Sequence, residues 1–238
     1  MENIIEVKQL KKSFGKLQVL KEVNCSFGQG GIVGILGPNA SGKTTLIKSI
    51  LGMVIPDAGE VYFGGKPVAR SFDYKKQIGY MPQIGRYPDN MKIGELFKMM
   101  KDLRNVHDNL DTDLISAYGL DAMYDKAMRT LSGGTRQKVS AALACLFNPK
   151  VLILDEPTAG LDPLAAEILK DKIHAEKAKG KLILITSHIL TEVDELADDI
   201  MYLFEGNIKF HKPLSALKAE AGEQKLGKAL TKILTQNV

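Results

Sequence analysis

The run Gly37-Pro38-Asn39-Ala40-Ser41-Gly42-Lys43-Thr44 constrains this chain more than any other feature. Before it, GIVGIL at 31–36 is a short apolar run of β-formers. After it, Leu46, Ile47, Ile50 and Leu51 recur at helical spacing until Gly52 and Pro56 stop the run. A strand, a glycine-rich turn and a helix therefore follow one another directly, the context in which this spacing of glycines and lysine holds phosphate. Backbone amides and the positive end of the helix point at an anion, the Lys43 ammonium neutralises the β and γ groups, and the Thr44 hydroxyl reaches magnesium.

Two further apolar runs, VLIL at 151–154 and LILIT at 182–186, lack alternation, which predicts strands buried on both faces as in a parallel sheet. Between them Asp162 can cap a helix, Pro163 fits its first turn, Leu164, Ile168, Leu169 and Ile173 mark one stripe, and Gly180 ends it. A helix carrying Leu190, Val193, Leu196 and Ala197 follows the second run. Short loops and the order βαβα predict a parallel sheet flanked by helices. IIEV at 4–7 and VNCSF at 23–27 also read as strands. From 84 to 149 strand-like runs vanish, and helical patterns such as ELFKMMKDL and the segment 137–147 dominate, so an inserted helical subdomain is expected there.

The acidic pair Asp155-Glu156 ends the VLIL strand, where side chains emerge at the carboxyl edge of a sheet beside a phosphate loop. Asp155 is expected to hold magnesium, directly or through water, which leaves Glu156 to polarise an attacking water as general base. Composition narrows the partners. The net charge of +4 is mild, and the excess of six Lys over three Glu from Glu205 onward lacks the runs and interleaved aromatics of a nucleic-acid surface. Two cysteines and four histidines match no metal or redox spacing, and they suit a reducing compartment. The N-terminus lacks the basic-then-apolar order of a signal peptide and no apolar run approaches a membrane span, so any membrane role needs a second chain.

With LSGGT at 131–135 and LDEPTAGLDP at 154–163 added, the chain resembles the nucleotide-binding domain of ABC (ATP-binding cassette) transporters over residues 1–210. The resemblance implies an α/β fold: a P-loop NTPase core of mostly parallel sheet flanked by helices, an N-terminal antiparallel β part and an inserted α-helical subdomain. The core would span 1–83 and 150–210, the subdomain 84–149, and a helical tail 211–238. It further implies that ATP and Mg2+ are bound by Gly37, Pro38, Asn39, Ala40, Ser41, Gly42, Lys43, Thr44 and Thr45, with Phe14 stacked on adenine. Ser132, Gly133 and Gly134 would contact the γ-phosphate held by an opposite subunit, and Asp162 would lie in the loop that crosses that interface. The catalytic site is then shared in a head-to-tail homodimer. Gln83, in YMPQ, would approach magnesium and water and begin the segment that faces an integral-membrane permease. His188, in TSH, matches the switch histidine on the γ-phosphate. Such a protein works in the cytoplasm, peripheral on the inner face of the cell membrane.

Some positions depart from the family pattern. Ala40 stands where glycine is common and needs a backbone angle alanine can adopt; Thr135 ends the signature, and the aspartate loop reads AGLD. A soluble single-cassette ATPase of iron-sulfur assembly is the rival reading, and a non-catalytic nucleotide sensor is disfavoured by Glu156 and His188. LDEPTAGLDP with GYMPQ resembles the branch served by a separate export-type six-helix permease. The stretch YMPQIGRYPDNMKIGELFKMMKDLR and the run around His188 resemble the ATPase of the transporter that matures nitrous-oxide reductase, whose work is linked to a copper site.

Overall fold

The computed structural model describes residues 3–70 and 72–236; positions 1, 2, 71, 237 and 238, which fall in the expected core and tail, lie outside the described residues. The chain divides into two compact units, Met1–Tyr74 with Leu182–Val238, and Lys75–Lys181.

The first unit opens with two long antiparallel strands, β1 (Asn3–Phe14) and β2 (Leu17–Gly28). Both extend well past the IIEV and VNCSF runs. In the lysine-rich stretches between, Leu10, Leu20 and Val23 are buried on one face while their charged neighbours stay in water, and shifts of register around Val7–Leu10 absorb the irregular alternation. Cys25 lies on β2, and burial pushes its thiol up to about 12. Strand β3 (Ile32–Leu36) is buried throughout, and the phosphate-loop segment links it to α1 (Lys43–Ile50). Leu46, Ile47 and Ile50 of α1 are almost fully buried. Each such side chain contributes about 1.5–3 kcal/mol of transfer free energy, enough to fix the helix start against the sheet. Strands β4 (Ala58–Phe63) and β5 (Lys66–Pro67) complete an antiparallel sheet of order β2-β1-β4-β5.

The second unit contains β6 (Ile78–Met81), α2 (Ile93–Arg104), the short α3 (Asp113–Ala117), α4 (Gly133–Cys145), β7 (Val151–Asp155) and α5 (Pro163–Ala178). Strands β6 and β7 pair in parallel, Met81 opposite Leu154. Asp162 caps α5 by accepting the Ala165 amide at 2.9 Å, with Pro163 in the first turn, as the sequence predicts. Cys145 ends α4, buried, and burial also pushes its thiol up to about 12. Along α5 runs a charge cluster centred on buried groups. Glu176, with no exposed surface, meets Lys179 at 2.7 Å, Lys172 at 3.2 Å and also Lys181, while Lys172 reaches Asp111 at 2.6 Å and Asp113 at 2.7 Å.

The chain then returns to the first unit with β8 (Leu182–Thr186), α6 (Leu190–Leu196), β9 (Asp199–Phe204), β10 (Asn207–Pro213), α7 (Leu214–Ala221) and α8 (Leu226–Gln236). Strand β3 is flanked in parallel by β8 and β9, and β10 folds back on β9 through a turn at Glu205-Gly206, both at positive φ. The fold is α/β, combining an antiparallel sheet with parallel pairing and packed helices. Among the described residues no helix is long and apolar enough to cross a membrane.

Candidate active site

In the first unit the phosphate-loop candidates and His188 lie at the carboxyl ends of β3 and β8, and Phe14 lies at the end of β1. Ile35 pairs with Thr186, so the loop after β3 and the Ser187-His188 segment after β8 leave the same edge. The loop's shape is set by main-chain crowding. Gly37 sits at φ 150°, and a Cβ there would lie 2.0 Å from the Leu203 carbonyl oxygen, so no larger residue fits. From the turn after β9 the Gly206 amide donates to the Ser41 carbonyl at 3.0 Å. Ala40 adopts φ 61°, the left-handed angle its replacement of glycine requires, at a strain of about 1 kcal/mol.

This loop fits a polyphosphate. Helix α1 has no acidic residue in its first turn, so its positive end is left for an anion. The Lys43 ammonium donates to the carbonyls of Gly37 at 2.6 Å and Pro38 at 3.0 Å, drawn across the loop. Ser41 is buried with its hydroxyl unpartnered, whereas Pro38, Asn39, Ala40 and Thr44 are exposed and Thr45 is half-buried. His188 is exposed next to Ser187, whose hydroxyl accepts the Ile189 amide at 3.0 Å and so fixes the turn. Phe14 ends β1 with 52% of its surface exposed and the Lys12 ammonium 5.3 Å from its ring centre, which excludes a core role for this ring.

In the second unit the parallel register of β6 and β7 sends Gln83 and the pair Asp155-Glu156 out of one edge. Gln83 is exposed, Asp155 is buried at the strand end, and Glu156 is half-buried at φ 52°. Burial, with the Asp155 charge added, pushes the nearby Tyr80 phenol up to about 12. Ser132 caps α4, its hydroxyl accepting the Thr135 amide at 3.2 Å, which leaves Gly133 exposed and Gly134 half-exposed at the helix start. After Gln83 comes a cavity of about 540 Å³ lined by Ile84, Arg86, Tyr87, Asp89, Met128 and Arg136. The Tyr87 hydroxyl in its lining donates to Ser140 of α4 at 3.0 Å.

Sequence reasoning passed over Gln137 and Lys138. The Gln137 amide donates to the Glu156 carbonyl at 3.4 Å, and Lys138 pairs with Asp162 at 2.8 Å, where its charge and the Ala165 amide hold the Asp162 carboxyl below its usual range. Their spacing of three and four residues from Gly134, one helical turn, was the available signal.

This geometry meets a match between residues 20–159 and the family model described as ABC transporter. Over 209 residues the chain is 34% identical to the lantibiotic transport ATP-binding protein SrtF of Streptococcus pyogenes, covering 88% of this chain and 90% of that one. It is 33% identical to the Nod factor export ATP-binding protein I of Rhizobium sp. (strain N33), covering 85% and 68%. A solved ATP-binding subunit of an ABC transporter superposes with TM-score 0.90 at 27% identity, covering 97% of this chain and 99% of the other. A cassette solved as a dimer with ADP and Pi shares the fold with TM-score 0.78 at 23% identity, covering 88% and 98%. The chain belongs to the ABC transporter family. Within it, this is an ATP-binding cassette and an ATPase.

Proposed function

We propose that the chain is the motor subunit of an exporter, hydrolysing ATP to drive a separate integral-membrane permease. The observation that carries this reading is the phosphate loop, shaped by main-chain contacts and open to an anion, in a chain of this family whose named relatives serve lantibiotic transport and Nod factor export. Lys43 and the loop amides bind the β- and γ-phosphates; on the family pattern Thr44, Gln83 and Asp155 would hold magnesium, which would supply neutralising charge for the transferred phosphoryl group. Glu156 takes the proton from the attacking water, and His188 contacts the γ-phosphate. Phe14 stacks on the adenine. Ser132, Gly133 and Gly134 complete the site of a second copy in a head-to-tail homodimer, with Asp162 in the loop between copies. Gln83 and the cavity after it receive the permease, which places the chain on the inner face of the cell membrane. The core at 1–83 and 150–210, subdomain at 84–149 and tail at 211–238 are the functional divisions of this reading.

Two variants test the chemistry. Lys43→Ala should abolish nucleotide binding, whereas Glu156→Gln should bind ATP normally and lose hydrolysis by about a hundredfold or more, since only the base is removed. Nucleotide fluorescence and phosphate release measure the two, and a Glu156→Gln protein that turns over ATP at the original rate sinks the assignment. With ATP and magnesium that variant should also elute as a dimer in gel filtration.

The narrower reading, service to the transporter that matures nitrous-oxide reductase, draws on the stretch 80–104 and the run around His188 and gains nothing from relatives named for lantibiotic and Nod factor. Copper content of the reductase purified from a deletion strain tests it: a fully loaded enzyme removes this cargo and leaves the motor intact.

A further inference from the structure

The loop that follows β7 carries Glu156 at one end and Asp162 at the other, and helix α4 grips it at three points. Gln137 donates to the Glu156 carbonyl at 3.4 Å. Gly134 approaches so closely that a Cβ on it would lie 2.8 Å from the Gly160 carbonyl oxygen. Lys138 closes on the Asp162 carboxylate at 2.8 Å, with its ammonium 5.7 Å from the centre of the Tyr118 ring, and Tyr118 in turn donates to the Ala165 carbonyl at 3.0 Å. Contacts at residues 134, 137 and 138 fall on one face of the first two turns of α4.

Two facts separate this grip from ordinary packing. Glu156 holds a left-handed backbone, φ 52°, which a residue with a Cβ keeps only where its surroundings over-determine it. The Lys138–Asp162 pair is partly open to water, with side-chain exposures of 23% and 55%. Exposed pairs add little to folding stability, so a change at Lys138 acts on the loop and spares the fold.

We propose that Lys138, with Gln137 beside it, is a positioning residue that binds the segment 156–162 to α4 and thereby aims Glu156 at its water. The helix that begins with Ser132, Gly133 and Gly134 and the loop bearing the base then move as one body. Lys138 touches no substrate in this scheme; it acts through the Asp162 carboxylate, and Gln137 acts through the Glu156 carbonyl. The proposal rests on Glu156 being the general base.

The test uses the full chain and compares Lys138→Met, Lys138→Arg, Asp162→Asn and the double variant Lys138→Met/Asp162→Asn by steady-state ATP turnover and thermal unfolding. Lys138→Met should lower kcat about tenfold while KM for ATP stays within about twofold, the signature of a group that shapes the transition state and not nucleotide binding. The melting temperature should be unchanged. Lys138→Arg should recover most of the rate by restoring the charge, and adding Lys138→Met to Asp162→Asn should lower the rate by far less than tenfold, because one interaction cannot be removed twice. Wild-type kcat in Lys138→Met overturns the proposal, as does an arginine variant as slow as methionine, or a rate loss that follows a lowered melting temperature. Glu156→Gln in the same assay separates the claims. If hydrolysis survives it, the base assignment falls and this proposal with it; if hydrolysis is lost there but intact in Lys138→Met, only the positioning role falls.

Discussion

Two loops at strand ends show opposite ways of holding a shape. The phosphate loop after β3 is fixed by main-chain crowding: Gly37 against the Leu203 carbonyl and the Gly206 amide on the Ser41 carbonyl. The acidic loop after β7 is held mainly by side chains, with Gln137 and Lys138 on one side and the Asp162 cap on the other, beside the close approach of Gly134 to Gly160. The unit that contains it continues the pattern, since the buried Glu176 cluster ties α5 to the segment 111–113 through charge. Steric fixation is uncharged and tolerates no substitution at its contact point. Fixation by charge tolerates substitution locally and depends on pH.

The contrast breaks most severely at Gly37. Gly37→Ala puts a methyl 2.0 Å from a backbone oxygen that cannot step aside, and the expected cost is on the order of 4 kcal/mol with loss of nucleotide binding. Denaturant unfolding and a nucleotide titration measure it, and the penalty should be the same at pH 7 and pH 5. Near-native stability would show that the loop yields.

Glu176→Gln is the matching change in the charged unit. Burial by itself would raise the Glu176 carboxyl, but hydrogen bonds from Lys179 and Lys181 and the charges of Lys181 and Lys172 outweigh it and hold the group at about 2 against an ordinary 4.5. A depressed folded value contributes stability that is complete above the unfolded value of 4.5 and is lost as pH falls from there toward 2. Removing one partner of such a buried network should cost about 3 kcal/mol near neutral pH, the difference from the parent shrinking across that window. A difference that stays constant from pH 7 to pH 3 would remove the electrostatic account.

The smallest expected effect is a gain. Ala40→Gly relaxes φ 61° and should stabilise the chain by up to about 1 kcal/mol, partly offset by the greater freedom of glycine when unfolded. Thermal unfolding reads it, and a lowered melting temperature would mean that the alanine methyl makes a contact worth more than the strain.

Much of the α/β framework was legible because the decisive signals are local. Continuous apolar runs marked β3, β7 and β8, and Asp162-Pro163 marked the start of α5. The full length of β1 and β2 was hidden, since lysines on the solvent face break the apolar alternation that the buried Leu10, Leu20 and Val23 preserve only in part. Strands β9 and β10 were missed for a different reason: DIMYLF and NIKFHKP are short and mixed in polarity, β9 is held by β3, distant in sequence, and β10 pairs in turn with β9. At the candidate site, residues proposed to act through their own chemical groups, such as Lys43 and Glu156, stand out by spacing. Gln137 and Lys138 contact the backbone carbonyl and carboxylate of other residues, and only the folded contacts single them out.

The two thiols carry a practical consequence. Cys25 is partly covered and Cys145 buried, and both are pushed up to about 12, so at neutral pH each is protonated and a poor nucleophile. The native chain should thus react slowly with mild alkylating reagents. A cysteine introduced on an exposed turn would carry a spectroscopic label alone, and distances between labels in two copies could report their approach without first stripping the protein of its own sulfur.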